Sequence, residues 1–286
     1  MTEARKHTLA TLALAAAGCC WGTGFYFGKV ALSEMSVLEN VSWRFIFGTL
    51  GFLPLLLRFV RLTRRDWALL ISAAIIGVPV QFLVQFKGLQ LTSVSHASLM
   101  IGSLPVMLAI ASAYALHERL HTAGWMALTA STIGAVLIAT AHSNTSGASG
   151  AGDALVGLSM LAAVVMTLTT KSLIGRYDPL YVSAMMIAVG TVPLVISDFA
   201  IHRALPHYSV HAWIALAAQG LIATTAAYSL WNWGLARRPV SNSGAFLNLE
   251  PVIGTILGTT LLGDRLGAGD IVGGVLIIAG ALYFTL

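Results

Sequence analysis

The sequence predicts an all-α polytopic membrane protein with ten transmembrane helices, arranged as two inverted five-helix repeats. Three observations predict it. First, 57% of the 286 residues are hydrophobic and only 9% are charged, against roughly 25% charged residues in an ordinary soluble domain. Mean hydropathy is +0.83. Second, apolar runs of span length, about 20 residues each, recur along the chain between short breaks that are polar or carry Gly and Pro. Third, the chain repeats itself at a constant shift. Pro105 precedes Glu118-Arg119-Leu120 by 13 residues and Pro251 precedes Asp264-Arg265-Leu266 by 13, so 251 − 105 = 264 − 118 = 146. The same shift carries Gly88-Leu89 onto Gly234-Leu235, Val94-Ser95 onto Val240-Ser241 and Gly134-Ala135 onto Gly280-Ala281.

The expected spans, in order, are 8–29, 37–57, 67–88, 94–114, 122–141, 153–174, 179–198, 210–235, 241–261 and 269–286. The first imitates a secretory signal, with Arg5 and Lys6 before an apolar run that leads into Gly18-Cys19. The run continues past Trp21 to about Val30, which is span length rather than signal length. The first five spans make one repeat, residues 8–141, and the last five make the second, residues 153–286. Residues 142–152 between them are rich in Ser, Gly, Thr and Asn and read as a flexible linker.

Charge supplies a direction. Eleven basic residues gather on one expected side: Arg5, Lys6, Arg58, Arg61, Arg64, Arg65, Arg119, Lys171, Arg176, Arg237 and Arg238. Four gather on the other: Lys29, Lys87, Arg203 and Arg265. Both termini are therefore expected in the cytoplasm. With five spans per repeat, the second copy enters the membrane upside down, and inverted repeats place the substrate site at their interface near the midplane. The net charge of +5 is explained by this orienting role, so a nucleic-acid partner is not expected. The lipid bilayer and a small-molecule substrate are the expected partners; the sequence leaves the oligomeric state open, with a monomer as one reading. The two cysteines, Cys19 and Cys20, are adjacent and cannot normally form a structural disulfide.

Ionisable groups inside a span cost about 2.5–3.5 kcal/mol at a helix centre and are functional candidates for that reason. Glu250 lies near mid-depth of the ninth span, beside a Pro251 that frees a backbone carbonyl. It is a candidate proton site or partner for a substrate ammonium; the alternative is a structural carboxyl. Arg44 lies about two turns inside the second span. A structural pair with Glu39 or Glu34 is the expectation, with binding of a substrate carboxylate as the sharper alternative. His96, Met100, Ser103 and Met107 share one helical face, and Gln81, Gln85, Gly88 and Thr92 share another. Tyr228 and Asn232 stand four apart, and Asn242 and Asn248 lie on the ninth span. Polar stripes on apolar helices line a cavity or bond a neighbouring helix. Histidine as a residue type ordinarily changes charge near neutral pH, which makes His96 a second candidate for proton coupling. Trp21 and Tyr228 lie deep enough to stack on a flat or apolar substrate.

One pattern points elsewhere. His117-Glu118-Arg119-Leu120-His121 matches HExxH, which on a helix places two zinc ligands on one face. Here it falls in an expected loop, and its copy Gly263-Asp264-Arg265-Leu266-Gly267 keeps the acid and Arg but neither His. A structural turn explains both copies, so no metal is expected. The chain has no GxxxxGK[ST] loop, so ATP-driven transport by this chain alone is not expected, and no cofactor is implied.

Trp21-Gly22, Arg44, the helix ends Gly88-Leu89 and Gly234-Leu235, Glu250-Pro251 and Leu262-Gly263-Asp264 together resemble the drug/metabolite transporter superfamily, in its EamA-type ten-helix form. The resemblance covers nearly the whole chain. It implies export of small metabolites, often amino acids, across a bacterial inner membrane through a cavity between the halves. Two departures stand out: Asp264 replaces a more usual Glu, and Leu104-Pro105 answers Glu250-Pro251. Any role of Glu250 is therefore confined to one half. Alternating access is the expected mechanism. Uptake or efflux of other metabolites or of cationic drugs is the nearest alternative, and a passive channel or an intramembrane zinc protease the more distant ones.

Overall fold

The computed structural model describes residues 3–58, 60–91, 101–141, 150–201, 207–261 and 267–284. The described residues are helical throughout, joined by short turns, with no strand among them. In chain order the helices are α1 (Glu3–Ala31), α2 (Val37–Gly51, then a short turn Leu53–Leu56), α3 (Arg64–Ile75, Ile76–Val80 and Gln81–Leu91), α4 (Leu104–Ala115) and α5 (Thr122–Ala141). The second half has α6 (Gly150–Ile174), α7 (Pro179–Ile201), α8 (Val210–Gly220, Leu221–Ala226 and Ala227–Leu235), α9 (Val240–Ser243, Gly244–Asn248 and Leu249–Leu261) and α10 (Ala268–Tyr283). Five stretches, 5–31, 64–88, 150–174, 179–201 and 210–235, are each long and apolar enough to cross a membrane, and shorter apolar helices complete the bundle.

Helix ends follow local chemistry. Ser36 and Glu39 form a reciprocal capping box at α2. The Thr63 hydroxyl accepts from Asp66 N at α3, and Ser209 accepts from Ala212 N at α8. α7 opens with Asp178 accepting from Leu180 N, just ahead of Pro179. α4 ends where His117 adopts φ 56°, a left-handed turn that stops a helix.

The repeat is visible in the packing. α3 and α8 each contain a π turn, Ile76–Val80 and Leu221–Ala226, and the 146-residue shift superposes 76–80 on 222–226 within the second. α3 packs on α6 as α8 packs on α1, α2 crosses α7, and α5 runs against α10. Thr191 donates through its hydroxyl to the Phe45 carbonyl at 3.4 Å. These two residues are copies of each other (45 + 146 = 191), so their contact marks the pseudo-twofold axis. Small residues permit the closest approaches. A Cβ at Gly134 would stand 2.5 Å from the Gly273 carbonyl oxygen, and a Cβ at Gly280 would stand 2.8 Å from that of Ala127; 280 and 134 are again copies. Large apolar side chains such as Leu57, Tyr114, Ile196, Val275 and Leu282 point outward, as a lipid-facing surface requires.

The structure departs from the expected spans in physical detail. The second span, expected to run unbroken over 37–57, breaks at Phe52, before Pro54. α3 starts at Arg64 and reaches Leu91. Gly150–Gly152 belong to α6, and residues 142–149 lie outside the described ones.

Candidate functional site

Five helices from both halves place chemistry-bearing side chains at the centre of the bundle. α2 contributes Arg44, which is buried. Its Nε donates to Thr224 Oγ1 at 3.0 Å and its Nη2 to the Ala223 carbonyl at 3.0 Å, both in the α8 π turn. The guanidinium carbon lies 5.1 Å from the Phe82 ring centroid and 5.5 Å from that of Phe45, in range for cation–π attraction. Glu250 lies in the first turn of the long segment of α9, and Tyr228, which is buried, lies on α8. Among the described residues nothing hydrogen-bonds the Glu250 carboxyl, and part of its surface stays accessible deep in the bundle.

Aromatic rings wall the same region. Trp21 of α1 meets Tyr228 edge-to-face, with centroids 5.3 Å apart and planes at 88°, and meets Trp231 at 5.4 Å. α1 reaches α9 through glycines: a Cβ at Gly22 would stand 2.7 Å from the Glu250 carbonyl oxygen. The pattern Gly18-x-x-x-Gly22 thus brings Trp21 and Glu250 onto adjoining helices.

The other expected site residues take several places. Gln81 follows the α3 π turn; it is buried, and its Oε1 has no partner among the described residues. Gln85 lies one turn further along, partly exposed. Asn232 Nδ2 donates to Ser183 Oγ at 2.8 Å, joining α8 to α7, and Asn248 Nδ2 donates to Ser131 Oγ at 3.0 Å, joining α9 to α5. Asn242 accepts from the neighbouring Ser241 hydroxyl. Ser103 Oγ lies 3.6 Å from Met107 Sδ. His96, Thr92 and Met100 lie outside the described residues.

One expectation is overturned. Arg44 pairs with neither Glu39 nor Glu34. Glu39 closes the α2 capping box on Ser36 N at 2.8 Å, and Glu34 accepts from Ser209 N at 2.8 Å and from the Ser209 hydroxyl. Those bonds, the side-chain one first, hold the Glu34 carboxyl below its ordinary range. The nearer carboxylates in sequence are occupied at the helix ends, and Arg44 faces inward to the second half instead.

The HExxH segment does not form the helix its zinc reading requires. His117 terminates α4, and residues 118–121 are non-helical. Glu118 instead caps α9: Val240 N donates to Oε1 at 3.0 Å and Ser241 N to Oε2 at 2.8 Å. Beside it, Lys171 Nζ donates to the Leu235 and Arg238 carbonyls at the end of α8. Arg238 Nη2 donates to the Phe284 carbonyl at 2.6 Å, and Nη1 contacts His7. Burial pushes the Arg238 guanidinium below its ordinary value. This network ties α1, α6, α8, α9 and α10 together at one end. Nearby, Arg176 pairs with Asp66 at 2.5 Å, and Tyr177 donates to the same carboxylate at 2.7 Å, joining the α6–α7 turn to α3. Sequence reading missed Thr224, Ala223, Lys171 and Arg238 as partners, since each contact spans tens to hundreds of residues.

A bundle of two inverted five-helix repeats around an ionisable central site is the architecture of a membrane carrier. The family model of EamA-like transporters matches residues 8–140 and again residues 150–286, so the chain belongs to the EamA-like transporter family. It is similar to an uncharacterized transporter of Archaeoglobus fulgidus, 26% identical over 91% of this chain and 92% of that one. It is also similar to the uncharacterized transporter YetK of Bacillus subtilis, 25% identical over 96% and 87%. A probable terminal-alkyne amino-acid exporter of Streptantibioticus cattleyicolor is 29% identical over 66% of this chain and 63% of that protein. A crystal structure of another protein shares the fold, with a TM-score of 0.81 over 95% of this chain and 94% of that one, at 18% identity.

Proposed function

We propose that this transporter exports small metabolites, amino acids first, across the bacterial inner membrane by alternating access, with both termini cytoplasmic. The observation that carries the proposal is buried Arg44 of the first half bonded into the α8 π turn of the second, with α1 reaching the Glu250 turn of α9 at Gly22, next to the Trp21–Tyr228–Trp231 ring cluster. A zwitterion with an apolar side chain matches this set. Glu250 takes the ammonium or the coupling proton, Arg44 faces the carboxylate, and the rings take the side chain. The relative described as a probable terminal-alkyne amino-acid exporter supports the substrate class. The basic ends of α3, α6 and α8 and the residues that clasp them support the orientation.

The test is uptake into proteoliposomes of a panel of labelled amino acids and cationic drugs, with and without a pH gradient, for the wild type and Glu250→Gln. Competition among apolar amino acids, with a pH response lost in Glu250→Gln, is expected. Wild-type selectivity for cationic drugs alone overturns the substrate class, and an unchanged rate and pH profile in Glu250→Gln removes Glu250 from the mechanism.

A further inference from the structure

Inverted repeats place matching residues at opposite ends of the bundle. α7 starts and α8 finishes at the end that holds the start of α1, whereas α2 starts and α3 finishes at the other. The 146-residue shift carries Val37 onto Ser183, Leu38 onto Ala184 and Phe86 onto Asn232. Between α7 and α8 this place is shut. Asn232 Nδ2 donates to Ser183 Oγ at 2.8 Å, and the Ser183 hydroxyl lies 3.2 Å from the Tyr228 carbonyl oxygen. Ser183 and Ala184 are 0% exposed and Asn232 is 2% exposed. Lys171 of α6 fastens the same end of α8 through the Leu235 and Arg238 carbonyls.

Between α2 and α3 the matching place is open. A cavity of about 280 Å³ lies there, lined by Ser36, Val37, Leu38, Leu83, Phe86 and Lys87. Val37, Leu38 and Phe86 are each partly exposed where their copies are buried. The faces that Ser183 and Asn232 occupy are interior ones, and the repeat gives α2 and α3 the same faces. Phe82 stands one turn deeper than Phe86 on one face of α3. It is buried, and its ring centroid lies 5.1 Å from the Arg44 guanidinium carbon. The opening thus leads from exposed Lys87 at its mouth toward Arg44 between the halves. The two ends also differ in chemistry. Asn232 and Ser183 meet by a hydrogen bond, which between membrane helices is modest enough to break and reform. Val37 and Phe86 have no polar side-chain atoms, so their end closes by apolar contact. Lys87 has neither an ion pair nor a hydrogen bond among the described residues, and its ammonium is available to an anion.

We propose that the α2–α3 opening is the outer portal of this carrier, where the substrate seats its carboxylate at Lys87 and its apolar part on Leu83 and Phe86, and that the Ser183–Asn232 contact is the shut inner portal. This rests on the reading of the chain as an exporter of apolar amino acids with cytoplasmic termini. Lys87 is a binding residue at the mouth. Asn232 is a positioning residue, which holds one portal shut while the other stands open.

The experiment is modification of matched cysteines by a membrane-impermeant methanethiosulfonate, in a chain carrying Cys19→Ala and Cys20→Ala. Leu38→Cys is treated from outside in intact cells, and Ala184→Cys from the cytoplasmic side in inside-out vesicles. Leu38→Cys is expected to react faster by roughly tenfold or more, since its copy reacts only through local opening. Asn232→Ala should speed Ala184→Cys about tenfold, as for loss of one buried hydrogen bond, and slow Leu38→Cys. Leucine and isocaproate, the same chain without the ammonium, should each protect Leu38→Cys. Protection, read as the ratio of rates without and with ligand, should vanish in Lys87→Gln and return in Lys87→Arg. Equal rates for the matched cysteines overturn the assignment of open and shut portals. An unchanged Ala184→Cys rate in Asn232→Ala, or acceleration of both cysteines as in a merely loosened protein, overturns the seal. Protection that survives Lys87→Gln, or protection by neither ligand, overturns the carboxylate seat. Protection by isocaproate alone keeps the portal and removes amino acids as the substrate. Reaction of Leu38→Cys from the cytoplasmic side alone overturns the outer placement.

Discussion

Removing Glu118 should unfasten the start of α9 rather than abolish any chemistry. Its two oxygens each accept one backbone N–H, from Val240 at 3.0 Å and from Ser241 at 2.8 Å. Both donors are among the first N–H groups of the helix, which have no intrahelical partner. A hydrogen bond to a charged group contributes about 1.5–3 kcal/mol, and the carboxylate also faces the positive end of the helix dipole. Glu118 is only partly buried, so water replaces part of the loss. Glu118→Ala should then cost about 2 kcal/mol, at the upper end for loss of a capping side chain. For a chain of this size that is a fall of roughly 4–8 °C in Tm. Glu118→Gln keeps one acceptor and should lose about half as much. Thermal unfolding in detergent, followed by tryptophan fluorescence, measures both variants. A Glu118→Ala protein that melts with the wild type would refute the capping account. The zinc reading makes the opposite prediction, with unaltered stability and an activity destroyed by either change.

Three further outcomes follow from the packing and the charges. Gly134→Val should force α5 and α10 apart, because its Cβ would stand 2.5 Å from the backbone oxygen of Gly273; a loss of about 3 kcal/mol or more, seen as low yield and a lowered Tm, is expected, and a wild-type Tm would contradict the close crossing. Trp21→Ala removes two edge-to-face contacts and should destabilise by about 3 kcal/mol, with Trp21→Phe recovering part of it; equal melting of Trp21→Ala and wild type would count against the ring cluster. Glu34 has a carboxyl lowered from 4.5 by the Ser209 bonds. Its contribution is therefore present above that pH and fades as pH falls through the lowered value. The Tm gap between wild type and Glu34→Gln should shrink below about pH 4.5, and a gap that widens in acid would reverse the argument.

The boundaries of the helices were legible because lipid leaves the chain few choices. Backbone groups must bond within the segment, so polar breaks and Gly or Pro mark ends, and α5 and α8 end where expected. The duplication was legible from Gly88, Gly134 and their copies, since close helix crossings tolerate only small residues. The π turns were not: Pro79 signals an irregularity in α3, but Leu221–Ala226 holds no Pro or Gly. Arg44 shows why the site was only half legible. Its cost in the membrane flagged it as functional, yet its partners Thr224 and Ala223 lie 180 and 179 residues away. Local spacing favoured Glu39 and Glu34, which helix capping had already claimed. For Asn232 and Asn248 depth alone leaves cavity lining and interhelical bonding equally open; their Ser183 and Ser131 partners are ordinary hydroxyls on other helices, with nothing in the sequence to pair them.

Counterflow tests the central claim, that this fold moves a small substrate by alternating between two faces. Proteoliposomes loaded with unlabelled amino acid are diluted into a trace of labelled amino acid, with no ion gradient. A carrier should accumulate label transiently above its equilibrium level, with a rate that saturates and falls in Glu250→Gln. Label that only approaches equilibrium, at a rate proportional to concentration, would contradict alternating access and indicate a passive pore.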